Sequence, residues 1–246
     1  MLSQPRDLLR ATIDLYRKEF WLFLGYTAWL LVPVATFYFA IALPPHPVTS
    51  VLIVVTIVLQ IFIWLWILVC LMRATALLLA SKPIDHAVLS TQALRRIQPV
   101  LIVVFLQALI VLGGALLLII PGIIFWVWYS FAQVAVGLDD KRPIESLTFS
   151  RALVQGRFFP TLWRLVTGLL VIGLLYAFFS GAILMILTRL FGVDISIVFS
   201  ESPPLWSQLV QSIVDIFFIP LFLIYTVLLY QDLKNNPPLD KITTVE

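Results

Sequence analysis

The sequence predicts an all-α, polytopic membrane protein with six transmembrane helices and three short cytoplasmic interfacial helices. Three observations carry this. First, 61% of the 246 residues are hydrophobic, only 12% are charged, and the mean hydropathy is +1.05, whereas soluble domains are about half apolar and a quarter charged. Second, several apolar stretches reach the roughly 20 residues a helix needs to cross about 30 Å of hydrocarbon, and none alternates as a barrel strand would. Third, Lys and Arg fall almost wholly on one side of the spans these stretches define.

The first span runs from Phe20 to Leu43, behind a polar segment of nearly twenty residues. It is longer than the apolar core of a secretory signal, so "AIA" at Ala40 to Ala42 is read as part of an uncleaved span. The others are Ser50 to Ala80, Pro99 to Ile120, Gly122 to Leu138, Pro160 to Leu190 and Leu205 to Tyr230. From Val100 to Leu138 the chain is almost unbroken apolar. A helix of about 39 residues would be close to 58 Å long, twice the hydrocarbon thickness, so this stretch must fold back. "IIPGII" supplies the expected place, with Pro121 setting the first corner of a turn and Gly122 the second. The second and fifth spans are long enough to tilt or to protrude into the headgroup region.

With the N-terminus inside, fifteen of the sixteen Lys and Arg residues are cytoplasmic and Arg189 alone is outside. Both termini are therefore expected in the cytoplasm of a bacterial inner membrane. The pI of about 9.1 requires no nucleic acid, because such charges line the leaflet rich in anionic lipid. Trp21, Trp163 and Tyr230 suit a cytoplasmic aromatic belt, and Trp126 and Trp206 suit the opposite one. Cys70 is the one cysteine, which excludes an intramolecular disulfide and leaves the redox compartment open.

Three segments preceding odd-numbered spans begin alike: "PRDLLRAT" at Pro5, "PIDHAVLS" at Pro83 and "PIESLTFS" at Pro143. Proline suits the first helical position, and a carboxylate two residues on faces the positive end of the helix dipole. Basic residues follow at Arg17 and Lys18, at Arg95 and Arg96, and at Arg157, with Gly156 a natural stop for the third helix. The chain thus reads as one membrane domain, residues 1–246, built of three modules, 1–80, 81–138 and 139–246, each a short helix followed by a two-span hairpin. Such repeats occur in transport folds and in plain scaffolds. The first two short helices separate an apolar from a charged face, as helices lying in the headgroup region do. In the third, Leu147 and Val154 point one way and Phe149 and Leu153 another, so it is expected to pack against protein as well as lipid.

"IIPGIIFWVWYSFAQVAVGLDDKRPIESLTFSRALVQGRFF" resembles the segment shared by the membrane domain of glycerophosphoryl diester phosphodiesterase-type proteins and the YciC-like bacterial inner-membrane proteins. A Pro-Gly turn, a span, an acidic patch, a Ser-containing helix and a Gly-Arg-aromatic exit carry the likeness. "IPLFLIYTVLLYQDLKNN" is similar to that family's last span. The resemblance covers the C-terminal half best. It implies a six-span helical fold without an assigned activity; the phosphodiesterase chemistry of the family belongs to a separate soluble barrel, for which these 246 residues leave no room.

Catalytic constellations are not found in the sequence. His46 and His86 fall on opposite sides of the expected membrane, and there is no glycine-rich phosphate loop, serine elbow or cofactor motif. The exception is Asp215, about ten residues into the last span, where an acid costs about 2.5–3.5 kcal/mol on insertion scales. Gln208, Gln211 and Asp215 share one helical face, and Gln60, Gln107, Gln133 or Arg73 are its expected partners. Two readings stand: a proton, cation or headgroup track, or an interhelical hydrogen bond that fixes packing. With one acid and no second titratable group in the spans, packing is favoured. Gly113, Gly114, Gly168, Gly173, Ser180 and Gly181 suit close helix approach, and Trp64 and Trp66 suit burial. Around the third short helix, Arg142, Ser146, Ser150, Arg151 and Arg157 are candidate ligands for a lipid phosphate; a capped, solvated helix is the alternative. The expected role is non-enzymatic, a membrane scaffold or lipid-associated envelope component with anionic headgroups and a possible protein as partners. A transporter or translocator using Asp215, or a membrane anchor for a soluble enzyme, are the other readings.

Overall fold

The computed structural model describes residues 2–198, 200 and 203–237; Lys241, counted above among the cytoplasmic cations, lies outside them. The described residues are helical with no strand among them. In chain order the helices are α1 (Pro5–Lys18), α2 (Phe20–Thr27), α3 (Leu31–Ala42), α4 (Pro47–Leu79), α5 (His86–Leu117), α6 (Ile119–Tyr129), α7 (Ala132–Leu138), α8 (Pro143–Val154), α9 (Phe158–Phe191), α10 (Ile195–Val198) and α11 (Leu205–Asn235).

Among the described residues, six segments are long and apolar enough to cross a membrane: Phe20–Ala42, Pro47–Leu79, His86–Leu117, Ile119–Leu138, Phe158–Phe191 and Leu205–Asn235. In four of them only 17% of the most apolar window is buried within the protein. Faces of this kind are stable in lipid rather than water, because contiguous exposed apolar area on this scale marks a membrane or partner surface. The fold is therefore all-α and polytopic, as the sequence predicts.

Of the described residues, those within Met1–Lys18, Leu65–Gly168 and Leu223–Glu246 form one compact unit, and those within Glu19–Trp64 and Leu169–Phe222 form a second. In the first unit α5 packs on α6, α7 and α8, and α8 also packs on α6 and α7. Leu147, Leu153 and Val154 of α8 are buried there with Val100, Val103, Phe131 and Val134. The mixed apolar pattern of the third short helix thus has its expected consequence, a helix packed on protein. In the second unit, α2 and α3 are joined by a single 3-10 turn, Ala28–Leu30. Pro33 follows four residues after Trp29, whose carbonyl its ring would meet in a regular helix, and the tighter turn accommodates it.

Two local expectations are corrected. The chain does fold back between Val100 and Leu138, but not at Pro121 and Gly122. The reversal is made by Leu118, whose φ of −163° and ψ of 152° end α5 and open α6. Pro121 and Gly122 then lie in the first turn of α6, where a missing N–H costs nothing. Gly122 is required for close approach instead: a Cβ there would sit 2.9 Å from Ala115 Cα, and one at Gly114 would sit 2.5 Å from the Phe125 ring. The second short helix is also not separate from the third span. Asp85 caps α5 by accepting from the Ala87 and Val88 amides at 2.9 and 3.2 Å, so the helix begins at His86 rather than Pro83 and runs through Pro99 without interruption. Pro5 and Pro143 do open α1 and α8 as expected, and Gly156, at φ +83°, follows the end of α8.

Candidate functional site

Each unit holds a polar cavity that interrupts its apolar surface. In the second unit, Tyr38, Leu184, Val198, Pro203, Ser207, Gln208, Gln211, Ser212 and Asp215 line a cavity of about 370 Å³. The three residues singled out on the last span, Gln208, Gln211 and Asp215, are thus brought together on one face of α11. Their partners differ from those the sequence suggests. Tyr176 of α9 donates its phenol proton to Asp215 Oδ1 at 2.8 Å. Gln211 Nε2 donates to the same phenol oxygen, and Ser180 Oγ donates to Gln211 Oε1 at 2.8 Å. Gln208 Nε2 donates to the Pro203 carbonyl at 2.8 Å. Of the expected partners, Gln107 and Gln133 bond each other at 3.0 Å, and Arg73 bonds Gln92 and Asp140. The readable signal is a pair of polar residues four apart on each of two spans, Tyr176 and Ser180 against Gln211 and Asp215, which meet in antiparallel register.

In the first unit, Arg73, Ala76, Leu77, Gln92, Leu138, Asp139, Tyr230, Gln231, Lys234 and Asn235 line a cavity of about 360 Å³. Arg73 reaches Asp140 Oδ1 at 2.6 Å and Gln92 Oε1 at 2.7 Å, and Arg96 reaches the same Asp140 oxygen at 2.8 Å. Asp140 holds a φ of +54°, a left-handed conformation that a short polar side chain tolerates better than most. Lys234 bonds both Asp139 oxygens at 2.8 Å, and Tyr230 donates to Asp139 Oδ2 at 2.6 Å. Lys141 pairs with Glu145 at 3.1 Å and lies 4.4 Å from the centre of the Phe149 ring. Its hydrogen bond holds the exposed Glu145 carboxyl below the ordinary carboxylate value. The ion pairs thus set the four cations Arg73, Arg96, Lys141 and Lys234 against the three carboxylates Asp139, Asp140 and Glu145, which leaves one positive charge in excess.

The candidate headgroup ligands around α8 divide. Arg142 and Arg151 are exposed, and the Arg151 guanidinium lies 4.5 Å from the centre of the Trp128 ring. The other three are turned into the protein. Ser146 and Ser150 are fully buried. Ser146 donates to the Pro143 carbonyl, while Ser150 donates to the Trp128 carbonyl at 2.7 Å and accepts from the Phe131 amide at 3.2 Å, bridging the break between α6 and α7. Arg157 is 8% exposed and donates to the carbonyls of Leu153, Leu233 and Asn236. Burial away from water pushes its pKa down from the usual arginine value. Ser150 and Arg157 join elements of the fold, Ser146 bonds within α8, and all three are turned away from a headgroup.

Among the described residues no group of three or more His, Cys, Asp or Glu side chains is placed to hold a metal ion. The fold and its cavities define the class: an all-α, multi-pass helical membrane protein with a charged and an acceptor-lined cavity. No family model, curated protein or solved structure matches the chain.

Proposed function

We propose that this chain is a non-enzymatic, lipid-associated protein of a bacterial cytoplasmic membrane, with both termini in the cytoplasm, that retains anionic phospholipid headgroups in the charged cavity of its first unit. The observation that carries this reading is the excess positive charge of that cavity's ion-pair cluster at the ends of spans. Arg73, six residues before the end of α4, and Lys234, in the last turn of α11, line the cavity. A phosphate is a bidentate acceptor for such a guanidinium, and lysine supplies a mobile point charge. The distribution of fifteen Lys and Arg residues against one supports the orientation, because a positive-inside bias favours this end in the leaflet rich in anionic lipid.

Kinship with the membrane domain of the phosphodiesterase-type and YciC-like proteins belongs to the same proposal. Several of the residues that carry the resemblance serve the fold or the charged cluster. Pro121 and Gly122 open α6, Asp139 and Asp140 hold the cations, α8 carries Ser146 and Ser150, and Gly156 and Arg157 follow its end.

The test is native mass spectrometry of the full chain released from membranes containing phosphatidylglycerol and phosphatidylethanolamine. Retained phosphatidylglycerol is expected, lost in Arg73→Gln/Lys234→Gln and increased in Asp140→Asn, which frees a cation without removing one. Equal retention by the double variant, or a bound protein and no lipid, overturns the reading, the latter in favour of a scaffold or an anchor for a soluble partner.

A further inference from the structure

The cavity beside Asp215 has a donor and acceptor inventory that selects its ligand. Asp215 lies eleventh in α11, in a segment apolar enough to span the membrane. One of its oxygens accepts from Tyr176, and no donor meets Oδ2 among the described residues. The direction of the network is fixed by chemistry. An ionised Asp215 can only accept, so Tyr176 donates to it, Gln211 must then offer N–H to the phenol oxygen, and Ser180 donates to Gln211 Oε1. Every proton in the network points toward the carboxylate, which is thereby held as an acceptor.

The two lining serines have the same bias. Ser207 commits its proton to the Pro204 carbonyl at 2.7 Å, and Ser212 commits its proton to the Gln208 carbonyl at 2.9 Å. Their lone pairs stay open, as does Gln208 Oε1, whose amide nitrogen is bonded to Pro203. Among the described residues no Lys, Arg or His lines the cavity. It thus holds several open acceptors beside a carboxylate with no cationic partner among the described residues, its open donors being the Tyr38 hydroxyl and the second N–H of each amide; such a carboxylate is costly in a low-dielectric segment unless it takes up a proton or a cation enters.

A proton relay fits less well. Gln211 stands in the middle of the network, and an amide passes a proton only through its unfavourable imidic form. The network orients Asp215 and does not conduct to it. The size of the cavity, about 370 Å³, and the apolar side chains of Leu184 and Val198 in its wall suit a ligand with a carbon body better than a bare metal ion.

We infer that this cavity binds a small organic monocation bearing N–H donors, a primary ammonium or guanidinium compound, with Asp215 as its charge partner and Gln208, Ser207 and Ser212 as neutral acceptors. The inference is independent of the lipid reading, which concerns residues of the first unit. Such a site would serve uptake, export or sensing of an amine.

The experiment is titration calorimetry of the full chain in lipid nanodiscs with n-butylammonium, corrected by titration of empty nanodiscs. Saturable binding of one equivalent is expected, weakened at least about tenfold in Asp215→Asn, since a hydrogen bond to a charged group is lost with the charge. Tetramethylammonium, which has the charge without donors, and sodium should not compete. Gln208→Leu and Ser212→Ala lie outside the Tyr176 network and should each weaken binding severalfold; Ser212→Ala gives up only a bond to its own helix and should fold as the wild type does, so the test survives if Asp215→Asn fails to fold. Absence of saturable binding, equal affinity in Asp215→Asn or in both Gln208→Leu and Ser212→Ala, or displacement by sodium overturns the assignment.

Discussion

Gly168 and Tyr225 interlock across α9 and α11: a Cβ at Gly168 would lie 2.0 Å from Tyr225 Cζ and 2.4 Å from its phenol oxygen. The ring is fully buried, and its hydroxyl donates to the Arg164 carbonyl at 2.6 Å, one turn before the glycine. The absence of a side chain at one position therefore admits both a large ring and its hydrogen bond at another. Because the tyrosine is tied to backbone, it has little freedom to yield.

Gly168→Ala is expected to destabilise the protein by about 1–3 kcal/mol, the usual cost of forcing a methyl into a filled core. Gly173→Ala, inside α9 with nothing within 4 Å of the new Cβ, should leave stability unchanged or raise it by up to about 1 kcal/mol. Thermal unfolding of the two variants in the same detergent distinguishes a packing glycine from one that is merely small. Equal midpoints would refute the interlock.

Ser150 makes a second prediction, opposite in kind to the role its sequence neighbourhood suggests. Its hydroxyl closes the gap between α6 and α7 by donating to Trp128 and accepting from Phe131. Ser150→Ala leaves the buried Phe131 amide and the part-buried Trp128 carbonyl without that partner, a cost of about 1–3 kcal/mol. Lipid retention should be unaffected in the fraction that folds, because the hydroxyl does not reach a surface. A variant of normal stability that has lost its lipid would instead restore Ser150 as a headgroup ligand.

The contrast between Ser150 and the spans shows which information the sequence holds. Span number follows from local quantities, the run length of apolar residues and the placement of charge, and six spans are found. The packing of α8 is also readable, because its apolar residues occupy more than one face. Pairings between distant residues are not. Asp215 is visible as a costly acid, but among the many hydroxyls on other spans nothing local marks Tyr176, and the choice is made by the register of α9 against α11. The corner at Leu118 escapes for a related reason. Pro121 and Gly122 are turn formers in isolation, yet a helix's first turn accepts proline as readily as a turn does, and the packing of Gly122 on Ala115 decides between them. The acidic patch Asp139 and Asp140 is evident as a motif, while its cations come from Arg73, Arg96 and Lys234, 67, 44 and 95 residues away from their respective partners.

A pH dependence is expected from Tyr16 on α1. Burial pushes its phenol from the ordinary 10.0 up to about 12. A group whose folded value is raised contributes stability that is complete below its unfolded pKa and lost as pH rises through the folded one. The stability attributable to Tyr16 is therefore intact below about pH 10 and declines between pH 10 and 12. Its size is at most about 3 kcal/mol, and smaller in proportion to residual solvent contact. Tyr16→Phe should flatten this part of the stability profile. An unchanged slope between pH 10 and 12 in the variant would place the titration elsewhere.

Arg157 supplies the last prediction because its cost of removal is large for a stated reason. One guanidinium serves three carbonyls, those of Leu153, Leu233 and Asn236, and so ties the end of α8 to the end of α11. Its Nε reaches back four residues, while its two terminal nitrogens reach across, a division that only a planar fork with five donors provides. Lysine in its place has one nitrogen and can serve one of these sites well. Arg157→Lys should therefore lose most of what Arg157→Ala loses, about 2–4 kcal/mol for buried acceptors left unpaired, even though the charge is kept. Were the residue a mere cation facing anionic lipid, Arg157→Lys would be close to wild type in both unfolding temperature and lipid retention. Comparing the two variants by thermal unfolding thus separates geometry from charge at the point where α8 meets the C-terminal helix.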